Sequence, residues 1–350
     1  MGFSMKLARE SIRKLVPYSS ARTESTQQGI RLDANENPVF REDGLNRYPE
    51  PQPALLRQRL ANMYGVETSQ LLMTRGSDEG IDLLTRVFCE ANEDAILIAP
   101  PTYGMYEVAA NIQGVRIVKV PLEKSSGFAL NKANILNQRN SRIKLIFLCS
   151  PNNPTGNILN SDDVITLCKA FQNQALVVLD EAYIEFSTTD SLSQLVLQYP
   201  NLVVLRTLSK AFGLAGVRLG ALIADPNIIE LLLKVIAPYP IPMPVERAAM
   251  NALSEENQAM VCSQIQNIRR ERDKLQDFLT TLSSVEYVYP SQANFLLVKV
   301  NEASAWMDTC RAHEIIIRSR VNLHGLQNCV RITIGTEEEN KRLKEVLSYV

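Results

Sequence analysis

The chain has 350 residues, of which 45% are hydrophobic and 21% are charged, and its formal net charge is −1 at pH 7. This length predicts about two domains, and the near-zero charge excludes a general electrostatic attraction to nucleic acid or to an anionic membrane. The six cysteines form no C-x-x-C pair, a pattern typical of reduced thiols in a cytoplasmic protein and not of a disulfide framework or a zinc site.

Residues 1–29 are predicted to form a polar N-terminal arm with a short helix, packed against the smaller of two domains. The beginning of the chain has no long apolar segment, so no signal peptide is expected. No apolar run in the chain approaches the roughly 18 residues that a membrane span needs. The arm contains Tyr18, and Asn35 and Tyr48 follow it closely.

Residues 30–240 alternate between short apolar strands and helices and are predicted to form the larger domain. The helices include 77–92, 103–113 and 161–172. The predicted strands are 95–99, 115–120, 144–149, 176–180, 201–209 and 219–224, with one more before Gly76. Near-continuous apolar strands alternating with helices favour a mostly parallel α/β sheet covered on both faces. Ligands of such sheets bind beyond the carboxyl ends of the strands.

Five loops at these strand ends carry side chains that suit one kind of ligand. They supply an anion site at a helix N-terminus, an aromatic ring, an amide, a carboxylate with a phenol, and a lysine with an arginine. The groups are Gly76–Asp78, Tyr103, Asn153, Asp180 with Tyr183, and Thr207–Lys210 with Arg218. A planar, phosphorylated aldehyde with a pyridine ring would use all of them, and pyridoxal 5′-phosphate is such a molecule.

Three of these loops also have an ordinary structural explanation. Asp180 can be a strand-end acid that faces water, residues 149–157 can form a simple turn, and the acids after Gly76 can cap a helix. A strand that ends in Asp-Glu also suits a magnesium-dependent nucleotide hydrolase, but the chain has no GK dipeptide and hence no phosphate-binding loop. No G-x-G-x-x-G follows a strand, which disfavours a dinucleotide site.

Lys210 lies in the segment TLSKAFGLAGVR, whose other residues are mostly small or apolar. Desolvation lowers the pKa of a lysine, and lysines in such surroundings are often nucleophiles. The segment therefore identifies Lys210 as a candidate for covalent chemistry.

Residues 241–350 are predicted to form a smaller α+β domain. After the proline-rich PYPIPMP, a helical stretch runs to about residue 280. Four short strands follow, in VEYVYP, NFLLVKV, EIIIRSR and VRITIG. A closing helix begins with Thr336 and Glu339, which match a capping box.

The motifs, in their order and spacing, resemble the aspartate-aminotransferase family of pyridoxal-phosphate enzymes (fold type I) over nearly the whole chain. They are LDANENP (32–38), NRYPEP (46–51), RGSDEGID (75–82), SPNNPTGN (150–157), LDEAYIEF (179–186), TLSKAFGLAGVRLG (207–220), ANFLLVK (293–299) and VRITIGT (330–336). The resemblance implies a seven-stranded sheet in the larger domain, a pyridoxal 5′-phosphate cofactor and a homodimer.

The resemblance also implies a role for each loop. Lys210 would form the Schiff base with the cofactor and later act as general base and acid. Asp180 would pair with the pyridine nitrogen, so that the protonated ring accepts electrons. The remaining cofactor contacts would be Tyr183 and Asn153 to the ring oxygen, Tyr103 stacked on the ring, and Ser77, Asp78, Thr207, Ser209 and Arg218 at the phosphate. Tyr48 would reach the phosphate in the neighbouring subunit, and the Asp78 carboxylate is expected to point away.

The substrate site implied by the resemblance contains Arg331 and Arg318, which would hold a phosphate or a carboxylate, with Tyr18 and Asn35 nearby. This pair of arginines is similar to the pair found in the branch of the family that transfers the amino group of L-histidinol phosphate to 2-oxoglutarate. Arg320 shares the face of Arg318 in a strand and is an alternative to it. Aromatic-amino-acid aminotransferases, threonine-phosphate decarboxylases and a cofactor-binding regulator without turnover are alternatives to this function, although no segment before residue 30 could hold a DNA-binding module. No metal site is expected, and His313 and His324 receive no role.

Overall fold

In the computed structural model, which describes residues 3–24, 29–39, 41–140 and 142–349, seven strands form the larger of two sheets. They are β1 (Leu71–Thr74), β2 (Ala95–Ile98), β3 (Arg116–Lys119), β4 (Ile143–Cys149), β5 (Leu176–Asp180), β6 (Leu202–Thr207) and β7 (Gly220–Ala224). Their order is β1-β7-β6-β5-β4-β2-β3, and β7 runs antiparallel to both of its neighbours while β6, β5, β4, β2 and β3 are parallel. The predicted mostly parallel sheet of seven strands is confirmed.

Two apolar layers cover this sheet because successive side chains of a strand point to opposite faces. In β5, Leu176 and Val178 face one layer, whereas Val177 and Leu179 face the other. The first layer contains α5 (Gly76–Phe88), α6 (Met105–Gln113) and α9 (Pro226–Leu233). The second contains α4 (Ala54–Tyr64), α7 (Lys132–Leu136) and α8 (Ser161–Phe171). The sheet is therefore buried on both faces, as its continuous apolar strands predict.

In its described residues, 3–24 and 29, the N-terminal arm contains three short helices instead of one, α1 (Phe3–Leu7), α2 (Glu10–Lys14) and α3 (Ala21–Glu24). Leu7 and Ala8 pack into the layer formed by α5 and α9. The Arg9 guanidinium binds Glu90 through two hydrogen bonds of 3.0 and 2.9 Å. This part of the arm therefore lies on the larger domain, which corrects the expected packing against the smaller one.

The smaller sheet has four antiparallel strands in the described part of the chain, in the order β10-β11-β9-β8. Its strands are β8 (Val285–Tyr289), β9 (Phe295–Val300), β10 (Arg318–Ser319) and β11 (Cys329–Thr333). Its helices are α10 (Met243–Ala252), α11 (Glu255–Leu279), α12 (Ala303–Ala312) and α13 (Glu337–Leu347). The predicted continuous helix to residue 280 is broken where the Ser254 side chain caps α11, and the Thr336–Glu339 capping box is confirmed. The boundary at residues 240 and 241 stays a prediction.

Gly220 determines how closely the N-terminus of α5 approaches the sheet. A Cβ atom on Gly220 would lie 2.5 Å from the carbonyl carbon of Gly76 and 2.7 Å from the amide nitrogen of Ser77. Neither backbone atom can move without displacing the beginning of the helix. The start of β7 therefore needs a glycine to hold the first turn of α5 in its position.

We expect the substitution Gly220→Ala to lower the free energy of unfolding by about 1–3 kcal/mol, because overpacking forces the helix away from the strand. Urea denaturation of the purified variant measures the change. Gly216→Ala is the matched control, since a Cβ atom there meets no heavy atom within 4 Å. Equal stability of the Gly220→Ala variant and the original protein would show that α5 accommodates the methyl group.

Candidate active site

A cavity of about 570 Å³ lies at the carboxyl ends of β4, β5 and β6, with β10 and β11 of the smaller sheet on its other side. Most of the side chains that the sequence predicts to form the site line this cavity. The predicted site residues that line it are Ser77, Asp78, Tyr103, Asn153, Asp180, Tyr183, Thr207, Ser209, Lys210, Arg218, Arg318 and Arg331. Residues far apart in sequence therefore converge because parallel strands bring their ends to one edge.

Asp180 places a buried carboxylate at the end of β5, with 2% of its surface exposed. Its Oδ1 accepts a hydrogen bond of 3.1 Å from the Ala182 amide, and its Oδ2 accepts one of 2.8 Å from the Tyr106 hydroxyl. Burial raises the pKa of Asp180 to about 6, although both hydrogen bonds act in the opposite direction. Asp180 is thus an acid whose charge depends strongly on its surroundings.

Tyr106 is a component of the site that the sequence interpretation missed. Tyr103 and Tyr106 occur together in PPTYGMY, and only Tyr103 directly follows the predicted strand. Tyr106 lies within α6, where an aromatic residue normally signals core packing. Nothing in the sequence pairs its hydroxyl with an acid 74 residues away.

Lys210 lies in a tight loop after β6, and its side chain opens onto the cavity. The Lys210 carbonyl accepts a hydrogen bond from the Gly213 amide, and the Leu208 carbonyl accepts one from the Leu214 amide. The ammonium nitrogen lies 5.5 Å from the ring centre of Tyr183. Partial desolvation by the cavity wall, followed by the charge of Arg331, lowers the pKa of Lys210. A lowered pKa makes more of the neutral amine available as a nucleophile.

Asn153 links the loop after β4 to the smaller sheet. Its Nδ2 donates a hydrogen bond of 3.4 Å to the Tyr183 hydroxyl, and its Oδ1 accepts one of 2.5 Å from Arg331 Nη1. The Arg331 guanidinium lies over the Phe295 ring at 5.1 Å. The Asn153 amide is thus one of the contacts between the two domains at the cavity, together with the Tyr183 and Phe295 rings, whose centres lie 5.2 Å apart.

An anion cradle forms where the first turn of α5 faces the loop after β6. Gly76 begins the helix with φ +74°, and Ser77 in its first turn lines the cavity, so the N-terminal end of α5 lies at the cradle. Thr207 Oγ1 and Ser209 Oγ lie 3.0 Å apart, and Arg218 Nη1 donates to Ser209 Oγ at 3.3 Å. A cation, two hydroxyls and a positive helix end favour a phosphate-like anion.

Asp78 departs from the prediction that its carboxylate points away from this cradle. Its Oδ1 accepts a hydrogen bond of 2.9 Å from the Tyr103 hydroxyl, and its Oδ2 accepts one of 3.3 Å from Arg218 Nη2. The side chain turns inward because the guanidinium and the phenol offer it two donors. Tyr103 is held by Asp78 and meets the Tyr106 ring edge-on at 5.7 Å.

Buried ions fix the segment after β5 from the far side of the cavity. Arg206 Nη2 donates a hydrogen bond of 2.8 Å to Glu185 Oε1, and Arg206 Nη1 lies 3.6 Å from Glu181 Oε2. Glu181 and Glu185 flank Tyr183 in sequence. This group therefore anchors the segment that carries both the candidate acid and the phenol.

Three arginines of the smaller domain line the same cavity. Arg318 and Arg331 are direct partners across β10 and β11, and Arg320 follows just after β10. Burial and the charges of Arg331 and Arg318 lower the pKa of Arg320 to about 10. The Nε atoms of Arg320 and Arg331 have no hydrogen-bond partner among the described residues. The cavity is therefore suited to an anionic substrate, and Arg320 belongs to it as well as Arg318.

Four predicted residues, Gly76, Tyr48, Tyr18 and Asn35, do not line the cavity within the described part of this single chain, although Gly76 begins the helix whose next residues do. Tyr48 is half exposed and stacks on Tyr239, with ring centres 4.5 Å apart. Tyr18 is 76% exposed, and Asn35 has a left-handed backbone with φ 54°. The described residues contain no cluster of three or more His, Cys, Asp and Glu that could hold a metal ion. In the same residues, no helix has the length and apolar character to cross a membrane.

The chain is similar to known proteins over almost its entire length. A family model for aminotransferase classes I and II matches residues 20–347. The chain is 46% identical to histidinol-phosphate aminotransferase 1 of Haemophilus influenzae (strain 86-028NP), with 98% of each chain covered. It is 43% identical to the histidinol-phosphate aminotransferase of Francisella philomiragia, with 97% of this chain and 94% of the relative covered.

Solved structures show the same similarity. The Sinorhizobium meliloti histidinol-phosphate aminotransferase in complex with pyridoxal-5′-phosphate superimposes with a TM-score of 0.80 at 25% identity, over 88% of this chain and 84% of the other. The L-threonine-O-3-phosphate decarboxylase of Porphyromonas gingivalis, at 24% identity and a TM-score of 0.72 over 87% and 90% of the two chains, shares the fold.

We expect Asp180→Asn to stabilise the cofactor-free protein at pH 8 by about 2–3 kcal/mol and to have little effect at pH 4. The folded carboxyl has a pKa of about 6 against an ordinary 3.8, so its contribution to stability falls as the pH rises between these values. Urea unfolding at several pH values measures this, with the exposed Asp190→Asn as control. A destabilised variant at pH 8 would contradict the argument.

Proposed function

The chain belongs to the class I and II aminotransferases, and from this membership we propose that it transfers an amino group between L-histidinol phosphate and 2-oxoglutarate. The products are imidazole-acetol phosphate and L-glutamate, a step of histidine biosynthesis. The observation that carries the proposal is the group of three arginines that lines the same cavity as Lys210 and Asp180. The high-coverage relatives named histidinol-phosphate aminotransferase support the same substrate.

The cofactor of this family is pyridoxal 5′-phosphate, and the side chains of the cavity match it group by group. We assign the aldehyde to Lys210, the ring nitrogen to the buried Asp180, and the ring oxygen to Tyr183 and Asn153. We assign the phosphate to the cradle formed by Thr207, Ser209, Arg218 and the first turn of α5. When bound, the cofactor supplies a protonated ring that accepts the electron pair released from the substrate's α-carbon.

Each of these residues has a separate role in the proposed reaction. The Lys210 amine would hold the cofactor in the resting enzyme, and when it is free its Nζ would accept the proton that leaves the substrate's α-carbon and would give it back later. Asp180 keeps the ring nitrogen protonated, and Tyr103 packs beside the ring. Both half-reactions use the same groups, as a ping-pong mechanism requires.

The arginines explain how one site accepts two different substrates. L-Histidinol phosphate carries a phosphate dianion, whereas glutamate and 2-oxoglutarate carry two carboxylates. A guanidinium binds either anion through two parallel hydrogen bonds. Arg331 and Arg318 are the assigned pair, and Tyr18 and Asn35 are assigned to close the substrate site. A cytoplasmic location remains part of the proposal.

A homodimer completes the site in this proposal. Tyr48 is half exposed and does not line the cavity of its own chain. Large apolar side chains of the same region are also exposed, including Ile30 at 93% and Leu32 at 87%. We assign this surface to the partner subunit, so that Tyr48 reaches the cofactor phosphate across the interface.

A substrate panel tests the reaction. We expect L-histidinol phosphate to convert the visible absorbance of the bound cofactor to that of its amine form faster than phenylalanine, tyrosine or threonine phosphate do. Lys210→Ala is the control and should lose both this absorbance and borohydride-reducible attachment of the cofactor. A preference for an aromatic amino acid, or release of carbon dioxide from threonine phosphate, would overturn the assigned reaction.

Hybrid dimers test the placement of Tyr48. Subunits with Lys210→Ala and subunits with Tyr48→Phe are mixed after each has been shown to have reduced activity. If Tyr48 acts across the interface, each hybrid has one unaltered site, and we expect the mixture to regain activity. If the mixture stays at the average of the two parents, Tyr48 acts within its own chain or not at all.

A further inference from the structure

Tyr106 occupies a special position beneath the cavity. Its ring is completely buried, stacks on Phe147 with centres 4.8 Å apart and an angle of 9°, and meets Tyr103 edge-on. Its hydroxyl is the donor of the 2.8 Å hydrogen bond to Asp180 Oδ2. A core tyrosine usually finds a partner for its hydroxyl, but here the partner is the acid assigned to the cofactor's ring nitrogen.

The two donors to Asp180 come from different parts of the fold. The Ala182 amide lies two residues further along the chain, so its 3.1 Å hydrogen bond follows from the local turn. The Tyr106 hydroxyl comes from α6 and reaches the other oxygen. Because two donors in fixed positions bind the two oxygens, the carboxylate plane has one preferred orientation.

We propose that Tyr106 is a positioning residue whose hydroxyl keeps Asp180 ionised and correctly oriented for the ring nitrogen of the cofactor. This proposal rests on the role assigned to Asp180 above. Tyr106 does not line the cavity, and among the residues that do, Asp180 is the one that accepts the hydrogen bond from its hydroxyl. The carboxylate must be ionised, since only the anion can hold a proton on the ring nitrogen.

The electrostatic surroundings explain why this hydroxyl matters. Burial and the charge of Asp78 favour the neutral acid, while the Ala182 amide, the Tyr106 hydroxyl and the charge of Lys210 favour the carboxylate. The titratable groups that face Asp180 or Tyr106 are Asp78 on α5, Tyr103 before α6, Cys149 at the end of β4, Tyr183 after β5 and Lys210 after β6. Loss of the hydroxyl removes a hydrogen bond that stabilises the Asp180 carboxylate, so that burial raises the pKa of Asp180 further.

The first experiment measures the Asp180 carboxyl directly. Tyr106→Phe removes one oxygen and keeps the ring that packs on Phe147. In cofactor-free protein labelled with ¹³C at the aspartate carboxyls, and with Asp180→Asn for assignment, we expect the variant to raise the pKa of Asp180 by about 1–2 units. Tyr289→Phe, a buried tyrosine outside this cavity, is the control and should leave the titration unchanged. An unchanged titration in Tyr106→Phe would overturn the proposal.

The second experiment follows the effect to the cofactor by a double-variant cycle. We expect Tyr106→Phe to raise the dissociation constant of pyridoxal 5′-phosphate about two- to tenfold at pH 7 in the Asp180 protein, because less of the carboxylate is ionised. In the Asp180→Asn background the same substitution should add nothing. Equal effects in both backgrounds would show that Tyr106 acts through packing and would overturn the proposal.

The two experiments separate this proposal from the proposed function. If Asp180→Asn leaves the cofactor affinity unchanged, the role of Asp180 is wrong and the positioning role of Tyr106 falls with it. If Asp180→Asn weakens the affinity and Tyr106→Phe changes neither measurement, only the inference about Tyr106 is wrong.

Discussion

The buried carboxylate of Asp180 is the constraint on which the rest of the site depends. An acid with 2% of its surface exposed loses most of its hydration, and burial without compensation would leave it neutral. The protein opposes this with hydrogen bonds from Ala182 and Tyr106. In the proposed function, a carboxylate held in this way gains a cationic partner only when the ring nitrogen of the cofactor binds beside it. Burial of Asp180 thus lowers the folding stability of the cofactor-free protein and, in the proposed function, favours binding of the cofactor.

The architecture could be read from the sequence because its strands are long apolar runs with clear ends. LVVLD ends at Asp180 both in the pattern and in the structure, and the residues after such strands reach the cavity as predicted. The contacts that depend on tertiary packing could not be read in this way. Tyr106 has the sequence signature of a core residue, and the inward turn of Asp78 results from Arg218 lying 140 positions further along the chain. The arm was misplaced because Leu7 and Ala8 carry no signal for one apolar surface over another.

The hydrogen bond between Arg331 and Asn153 connects the two domains at the cavity that both residues line. Asn153 contacts Tyr183 on one side and Arg331 on the other. An arginine assigned to the substrate and a phenol assigned to the cofactor therefore share one amide. A change in the hydrogen bonding of the Arg331 guanidinium can therefore alter the hydrogen bonding of the Tyr183 hydroxyl through the Asn153 amide, and this needs no movement of the sheet beneath it.

The register of the smaller sheet has a further consequence. Arg318 and Arg331 stand directly opposite each other, and like charges in that relation weaken the pairing of two strands. β10 extends over only two residues, Arg318 and Ser319. In the proposed function, an anionic substrate held by both guanidinium groups would offset this repulsion, so that binding and strand pairing would reinforce each other. In that case the substrate would also serve as a structural counter-ion for the edge of the smaller sheet.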